Sequence, residues 1–342
     1  MIFNRSVTFL IFFFLINNIS CYGDLFFMDY HERNLPIELS ITNNSQDNLI
    51  LPFNKTRVIG SKNHKEVQNF IIDHFTNTLS RKWVFEEDSF EANNHNFTNL
   101  IFTLNKPNVS KYIVIGAHYD SKILPKKEYI GAVDSAATCG ILLYVSKFLD
   151  RILTEESDSL ASRLINESNF GLKIVFFDGK ESIKQWSPED SSYGAKHLAE
   201  IWEEQGINDK IELFIVANLL GGPEQKDGVT SHFINTLGYL KMLEDVETVY
   251  NSIDLNNIDN INMRLRKKQV ISRSKSFMTA QKYTVKDDHI EFLKYNVPML
   301  YTAPLPYPRH WHRVSDTFEN LSQQQVYRWG ILLSDYMIRL LL

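Results

Sequence analysis

Residues 112–120 read YIVIGAHYD, a run of apolar residues that ends in three polar ones, His118, Tyr119 and Asp120. Residues 131–150 then alternate small and apolar side chains at the period of a helix, and residues 173–177 form a second short apolar run. Two buried-strand patterns separated by a helical one are typical of an α/β sheet that helices cover on both faces. This stretch therefore predicts the class of the fold.

The pattern continues on both sides of this stretch. Residues 99–104 predict a strand, and we expect it to pair with the strand at 112–117 in the centre of the sheet. Residues 24–57 are polar and predict irregular structure. The remaining predicted elements are helices at residues 63–79, 190–205 and 323–342 and a strand at residues 211–220. We expect a central mixed, mostly parallel sheet with helices on both faces, in one domain over residues 24–342.

The composition is that of a globular protein. The chain has 342 residues, of which 44% are hydrophobic and 23% charged, and its net charge is −5. Lysine and arginine are scattered along the chain instead of forming a basic stripe, so the sequence indicates no nucleic-acid partner.

The N-terminus has the layout of a secretory signal peptide. Arg5 precedes an apolar run over residues 7–16, and small and polar residues follow at 20–23. We expect a signal peptide at residues 1–23, a secreted protein or one in the lumen of the secretory pathway, and a monomer with no membrane contact after cleavage. Six N-x-S/T sequons fit this route, at Asn43, Asn54, Asn96, Asn108, Asn166 and Asn320.

The two cysteines predict no disulfide in the mature chain. Cys21 lies beside the predicted cleavage position, which leaves Cys139 without an intramolecular partner.

Three ionisable residues follow predicted strands or lie in the loops beyond them. They are Asp134 in GAVDSAATC, Glu181 in DGKES and His312 in PRHWH. In open α/β sheets ligands bind beyond the carboxyl ends of the strands, and two carboxylates with one imidazole suit zinc when no thiolate is available. Each residue also has a simpler interpretation: a helix N-cap for Asp134, a surface residue for Glu181 and a satisfied loop histidine for His312.

Long collinear motifs from Arg57 to the C-terminus resemble one family. They are RVIGS (57–61), WVFEEDSF (83–90), FTNLIFTLN (97–105), AHYDSK (117–122), GAVDSA (131–136), FFDGKES (176–182), WSPEDSSYGAKHLA (186–199), LLGGPEQ (219–225), KDDHIEFL (286–293) and VPMLYTAPLPYPRHWH (297–312). The sequence is similar to the animal-type glutaminyl-peptide cyclotransferases, or glutaminyl cyclases, of the zinc aminopeptidase superfamily.

The resemblance implies a site and a reaction. It implies that Asp134, Glu181 and His312 hold one zinc ion per chain, and that Trp186 and Trp311 shape the substrate pocket. Zinc then acts as a Lewis acid on the γ-carbonyl of an N-terminal glutamine in a peptide or protein, while a nearby carboxylate moves a proton to the departing ammonia. The product is a pyroglutamyl N-terminus.

Four positions depart from the family pattern. Lys180 replaces the proton-transferring glutamate, Asn218 replaces an aspartate, and Tyr301 replaces a pocket histidine. The resemblance implies that Asp287 alone remains of the acidic hydrogen-bond network beside the metal. It also implies that a family disulfide is absent, because Ala117 stands where Cys139 would need its partner.

These departures leave three hypotheses. The first is an active cyclotransferase in which Lys180 or water takes over the proton transfer. The second is a catalytically impaired secreted protein that binds zinc and peptide N-termini. The third, which we rank last, is a zinc aminopeptidase whose second metal would use His118 and an acid at position 218. Asn218 weighs against that metal, and Lys180 removes the general base of peptide hydrolysis.

Overall fold

The computed structural model describes residues 27–81, 83–124, 128–223, 229–231, 233–252, 286–304 and 307–342. The predicted signal peptide and Cys21 lie outside these residues. The described residues form a seven-stranded sheet in the order β1-β2-β4-β3-β5-β7-β6. Its strands are β1 (Trp83–Ala92), β2 (His95–Leu104), β3 (Lys111–His118), β4 (Phe170–Phe177), β5 (Ile211–Ala217), β6 (Val229–Ser231) and β7 (Met299–Thr302).

The centre of the sheet is parallel and its margins are antiparallel. Strands β4, β3, β5 and β7 run parallel to one another. The pairs β1–β2 and β2–β4 on one side and β6–β7 on the other are antiparallel. Adjacent side chains of a strand point to opposite faces, and in β3 both Val114 and Ile115 are fully buried. Both faces of the sheet are therefore covered, and the predicted mixed α/β sheet is confirmed.

The predicted pairing of the strands at 99–104 and 112–117 is wrong. They belong to β2 and β3, and β4 lies between them, antiparallel to β2 and parallel to β3. The two strands are close in sequence, but a parallel neighbour can join β3 only through a long crossover. The helical segment at 137–167 provides that crossover and brings β4 back beside β3.

Eight α-helices lie within the described residues. They are α1 (residues 27–38), α2 (Lys62–Asp73), α3 (Ala137–Thr154), α4 (Leu160–Glu167), α5 (Tyr193–Glu204), α6 (Leu237–Ser252), α7 (His289–Leu293) and α8 (Gln323–Leu341). The predicted helices at residues 63–79, 190–205 and 323–342 correspond to α2, α5 and α8. A single π-helical turn, His74–Thr78, extends α2 to the predicted end.

Helix α1 corrects the prediction of irregular structure over residues 24–57. One side of this helix is polar, which obscured the pattern, but the other side is apolar and buries Tyr30 and Leu35. His31 stacks on Phe148 of α3 with ring centroids 4.9 Å apart, and its Nδ1 lies 2.7 Å from the Tyr144 hydroxyl. Packing against α3 therefore stabilises a helix whose sequence alone is a weak helix signal.

Helix α3 runs through the core. Among the described residues, one helical stretch, Ala132–Thr154, has the length and apolar composition of a membrane span, and 94% of its most apolar part is buried inside the protein. Its central residues, such as Leu142 and Leu143, are fully buried.

Candidate metal centre

Three potential ligands converge beyond the carboxyl ends of the parallel strands. Asp134 lies between β3 and α3, Glu181 lies four residues after β4, and His312 lies in the loop after β7. Their ligand atoms all lie within 4.8 Å of one another. His312 Nε2 is 3.3 Å from both Asp134 Oδ2 and Glu181 Oε1. We refer to Asp134, Glu181 and His312 as the ligand triad.

Asp134 does not cap helix α3. The helix begins at Ala137 after a non-helical segment, in which Asp134 has φ −111° and ψ 78°. Its carboxylate lies 3.0 Å from His118 Nε2 and accepts a hydrogen bond from the Tyr129 hydroxyl at 3.1 Å. The carboxylate is thus fully buried and points to the other ligands instead of toward the helix N-terminus.

A buried arginine fixes the segment that leads to Asp134. Arg57 is fully buried and donates to the carbonyls of Tyr119, Ile130 and Gly131 at 2.8, 2.6 and 3.2 Å. Gly131 has φ +63°, and a Cβ on it would lie 2.2 Å from the Asp134 carbonyl oxygen. The position therefore requires glycine, and the arginine holds the turn in place.

Glu181 is buried, so its interpretation as a surface residue is wrong. The backbone N–H groups of Lys180 and Glu181 donate to the two carboxylate oxygens of Asp120 at 3.1 and 3.0 Å. This clamp links the residues after β4 to those after β3. Lys122 Nζ, on the same segment as Asp120, donates to Glu181 Oε2 at 3.2 Å.

His312 faces the two carboxylates from the opposite loop. Its ring stacks on Trp311 with centroids 3.8 Å apart, which fixes its orientation. Hydrogen bonds to Asp134 and Glu181 outweigh the effect of burial and raise the pKa of His312. The structure thus brings the three predicted ligands together, and their role as metal ligands stays a prediction.

Lys180 places a cation against the ligand triad. Its buried Nζ lies 3.2 Å from Glu181 Oε1 and 3.4 Å from Asp134 Oδ1. Burial alone would lower the pKa of this amine, but the two carboxylates raise it well above its usual value. The ammonium therefore stays charged and cannot accept a proton.

The same contacts act on the carboxylates. Burial would raise the pKa of Glu181, yet Lys180 is the main cause that lowers it to about 2. Lys180 likewise lowers the pKa of Asp134 against the effect of burial. Both carboxylates are ionised at neutral pH, the form in which they can bind a metal.

A second set of polar residues lies beside the ligand triad. Asn218 follows β5, and its Nδ2 donates to Asp287 Oδ2 at 2.8 Å. Tyr301 in β7 donates from its hydroxyl to the same oxygen at 2.6 Å. Burial would raise the pKa of Asp287, but Lys180 and these two donors lower it. We refer to Lys180, Asn218, Asp287 and Tyr301 as the polar network.

A cavity of about 720 Å³ is lined by His312 of the ligand triad and by Lys180, Asn218 and Asp287 of the polar network. Its lining includes the predicted pocket residues Trp186, which is 44% exposed, and Trp311. It also includes residues that were not predicted from the sequence as site residues, namely Lys122, Lys184, Lys286 and Tyr307. Lys122 ends the motif AHYDSK, Lys184 lies two residues before Trp186, and Lys286 directly precedes Asp287. Closeness in sequence to these motifs and predicted site residues was the signal that could have identified the three lysines.

Two further buried residues, Cys139 and His118, lie beside the site. Cys139 is free and buried, and its Sγ donates to the His118 carbonyl at 3.1 Å. His118 lies between Asp120 and Asp134, with nitrogen–oxygen distances of 3.3 and 3.0 Å. Burial and Lys180 lower the pKa of His118, but the two carboxylates outweigh them and raise it to about 10.

Comparisons with known proteins agree with the family resemblance of the sequence motifs. The model of peptidase family M28 matches residues 99–337. A glutaminyl-peptide cyclotransferase of Drosophila melanogaster is 33% identical over 288 residues, which cover 79% of this chain and 72% of the relative. An uncharacterized protein of Saccharomyces cerevisiae is 37% identical over 332 residues, 92% of this chain and 90% of the relative. Among solved structures, the glutaminyl cyclase of Macrostomum lignano superposes with a TM-score of 0.70 at 26% identity, covering 86% of this chain and 87% of that one.

Proposed function

Because this chain belongs to peptidase family M28 and, within it, to the glutaminyl-peptide cyclotransferases, we propose that it converts the N-terminal glutamine of peptides and proteins to pyroglutamate with release of ammonia. We further propose that it does so slowly. The main support for the proposal is the ligand triad, whose His312 lines the same cavity as Trp186 and Trp311.

The donor set suits one zinc ion per chain. Two ionised carboxylates and one imidazole, with ligand atoms within 4.8 Å of one another, are the ligand types and number of a catalytic zinc site with an open position. Bound zinc supplies a Lewis acid for the γ-carbonyl of the substrate glutamine.

The residues of the cavity supply binding and proton transfer. Trp186 and Trp311 provide apolar walls for the glutaminyl side chain. The α-nitrogen forms a bond to the γ-carbonyl carbon and loses a proton, and the bond from that carbon to the amide nitrogen breaks as ammonia leaves. Asp287 is the one carboxylate among the described cavity-lining residues. Its lowered pKa keeps it ionised, so we assign it the transfer of this proton.

The polar network explains why we propose a slow reaction. The Lys180 ammonium occupies the position that the resemblance assigns to a proton-accepting glutamate, and it remains charged beside Glu181 and Asp134. Asn218 uses its amide N–H to donate to Asp287 and carries no negative charge. A carboxylate whose pKa lies far below neutral is a weak base, which limits the rate.

The ion pairs of Lys180 also favour a second candidate, a zinc- and peptide-binding protein without turnover. An aminopeptidase with two metals is disfavoured, since Asn218 offers an amide donor to Asp287 at the position where the second metal would need an acid. The N-terminal sequence supports secretion or residence in the secretory lumen, and we propose a monomer that contacts neither nucleic acid nor, after cleavage of residues 1–23, a membrane.

One assay separates the two candidates. The protein secreted from a eukaryotic host is supplied with zinc and a glutaminyl peptide, and ammonia release and the matching loss of peptide mass are followed. We expect slow turnover that a chelator and His312→Ala both abolish, with His197→Ala, a histidine outside the cavity, as the matched control. Stoichiometric zinc with peptide binding but no ammonia release refutes the enzymatic proposal in favour of the binding protein.

A further inference from the structure

The cavity is lined by an excess of lysines. Lys122, Lys180, Lys184 and Lys286 all border it, against the single carboxylate of Asp287 among the described lining residues. The chain as a whole has a net charge of −5. The concentration of positive charge is therefore a property of this cavity and not of the protein surface in general.

The four lysines divide into two pairs. Lys180 and Lys122 each form an ion pair with Glu181 at 3.2 Å. Lys184 and Lys286 are exposed at the mouth of the cavity. Within the described ranges, no carboxylate forms an ion pair with either of them. We call Lys184 and Lys286 the mouth lysines, and their charge is available to a ligand.

Both mouth lysines extend from a backbone that the structure holds in place. Asp190 accepts hydrogen bonds from the N–H groups of Ile183, Lys184 and Gln185 at 2.8, 2.9 and 2.8 Å. Lys286 directly precedes Asp287, whose side chain is buried and bonded to Asn218 and Tyr301. Anchored backbones reduce the entropy that a lysine loses when it binds an anion.

A smaller cavity continues from the first. It has a volume of about 220 Å³ and shares Trp186, Lys286 and Asp287 with the main cavity. Lys286 Nζ lies 5.8 Å from the centre of the Trp186 ring, between the two spaces. An extended peptide advances about 3.3 Å per residue. The mouth lysines line the same cavity as His312 of the ligand triad, so we expect a peptide whose first residue lies at the triad to reach them with the residues that immediately follow.

We propose that the mouth lysines select peptides that carry aspartate or glutamate at positions two to four, directly after the N-terminal glutamine at position one. This inference rests on the proposed function, because it names the substrate class of the same site. Exposed ammonium–carboxylate pairs each contribute modestly, so two of them give a preference on the order of tenfold over a neutral peptide. Salt weakens such a preference because it screens exposed charges.

The test compares three peptides that begin with glutamine and differ only at positions two to four, which are acidic, neutral amide or basic. For each peptide kcat/KM is measured at low and at high salt, and the binding of its pyroglutamyl form is followed by tryptophan fluorescence. We expect the order acidic, neutral, basic, with about a tenfold step between the first two that shrinks at high salt.

Charge variants at the mouth test the assignment to these two residues. The double variant Lys184→Gln/Lys286→Gln should reduce the acidic-to-neutral ratio to about one, and Lys184→Glu/Lys286→Glu should invert the order in favour of the basic peptide. Lys210→Gln is the matched control. This exposed lysine directly precedes β5, at the amino end of the strand and away from the cavity, so its substitution should leave the ratio unchanged.

The outcomes separate this inference from the proposed function. Equal turnover and equal binding of the three peptides overturns the selection of acidic peptides and leaves the cyclotransferase proposal in place. No turnover of any peptide, with a retained binding preference for the acidic one, overturns the cyclotransferase proposal and supports the selection. A preference that the double variants do not alter overturns the assignment to Lys184 and Lys286.

Discussion

The ligand triad and the polar network lie beside each other but differ in the chemistry that they can support. The triad joins two ionised carboxylates and an imidazole, a set suited to metal binding. The polar network contains a cation, an amide, a phenol and one carboxylate, of which only Asp287 can accept a proton at neutral pH. A site can therefore keep the groups that hold a metal while it lacks most groups that move protons.

Lys180 is the residue through which the two regions interact. Its ammonium lies within 3.4 Å of two members of the ligand triad, although it stands in the polar network. It lowers the pKa of the triad carboxylates and so keeps them ready for a metal, yet its positive charge opposes the approach of the metal ion. Substitutions that separate these two effects test the comparison most directly.

The largest effect is expected from Asp134→Ala. Its carboxylate is fully buried between His118, Tyr129, Lys180 and His312, and removal of one partner leaves buried charges uncompensated. We expect the metal-free protein to lose roughly 3–5 kcal/mol of unfolding free energy, and zinc binding to be lost. Urea unfolding in the presence of a chelator and metal analysis of the purified protein measure the two effects.

Asp287→Asn is the control for this first substitution, because it changes the polar network and keeps its shape. It should retain zinc and lose turnover. Loss of zinc in both variants would show that triad and network do not act separately.

The second-largest effect, a change in kcat, is expected from Lys180→Glu. A carboxylate at this position can take the α-amino proton, and general base catalysis contributes on the order of 10²-fold or more to a rate. We expect kcat of the zinc-loaded protein to rise by at least about that factor, and to rise further when Asn218→Asp is added.

Lys180→Gln distinguishes the gain of a base from the loss of a charge. It removes the ammonium without supplying a proton acceptor, so kcat should change far less than in Lys180→Glu. If neither Lys180→Glu nor the double variant with Asn218→Asp increases kcat, the pocket itself is unsuited to glutamine.

The smallest effect concerns the pH dependence of zinc binding. Asp134 and Glu181 have lowered pKa values and stay ionised in the neutral range, whereas the pKa of His312 is raised above its usual value. Zinc binds the neutral imidazole, so below its pKa His312 must lose one proton before the metal can bind. We expect the apparent affinity to fall about tenfold for each pH unit below the pKa of His312 and to level off above it.

Zinc titrations with a competing chelator across the neutral range measure this dependence. His197→Gln should give the same curve, because this histidine contacts Asp88 and not the ligand triad. A curve that is flat through the neutral range would contradict the participation of His312 as a ligand.

Local patterns were sufficient for most elements of the fold. Apolar runs predicted β3, β4 and β5, and helical periodicity predicted α2, α5 and α8. The two wrong predictions, of irregular structure at helix α1 and of the pairing of β2 with β3, had a common cause. Each depends on contacts between residues that are far apart in the chain. Helix α1 depends on packing against Tyr144 and Phe148, and the neighbours of β2 were set by a crossover that places β4 beside β3.

The site divides in the same way. Residue types and their positions after strands, together with the family resemblance, led to the ligand triad, to Lys180, Asn218, Asp287 and Tyr301, and to the two tryptophans. The mouth lysines were not predicted, because exposed lysines are common on any protein surface and only the closeness of these two in sequence to Trp186 and Asp287 indicates the cavity.

The α/β class, the family and the chemical types of the candidate site residues could be predicted from the chain, because they follow from local periodicity and residue identity. Three features required the folded structure: Asp134 stands free of helix α3, the Lys180 ammonium lies against two triad carboxylates, and Lys184 and Lys286 line the cavity. Burial and pKa depend on distances between residues far apart in the chain, and the fold sets those distances.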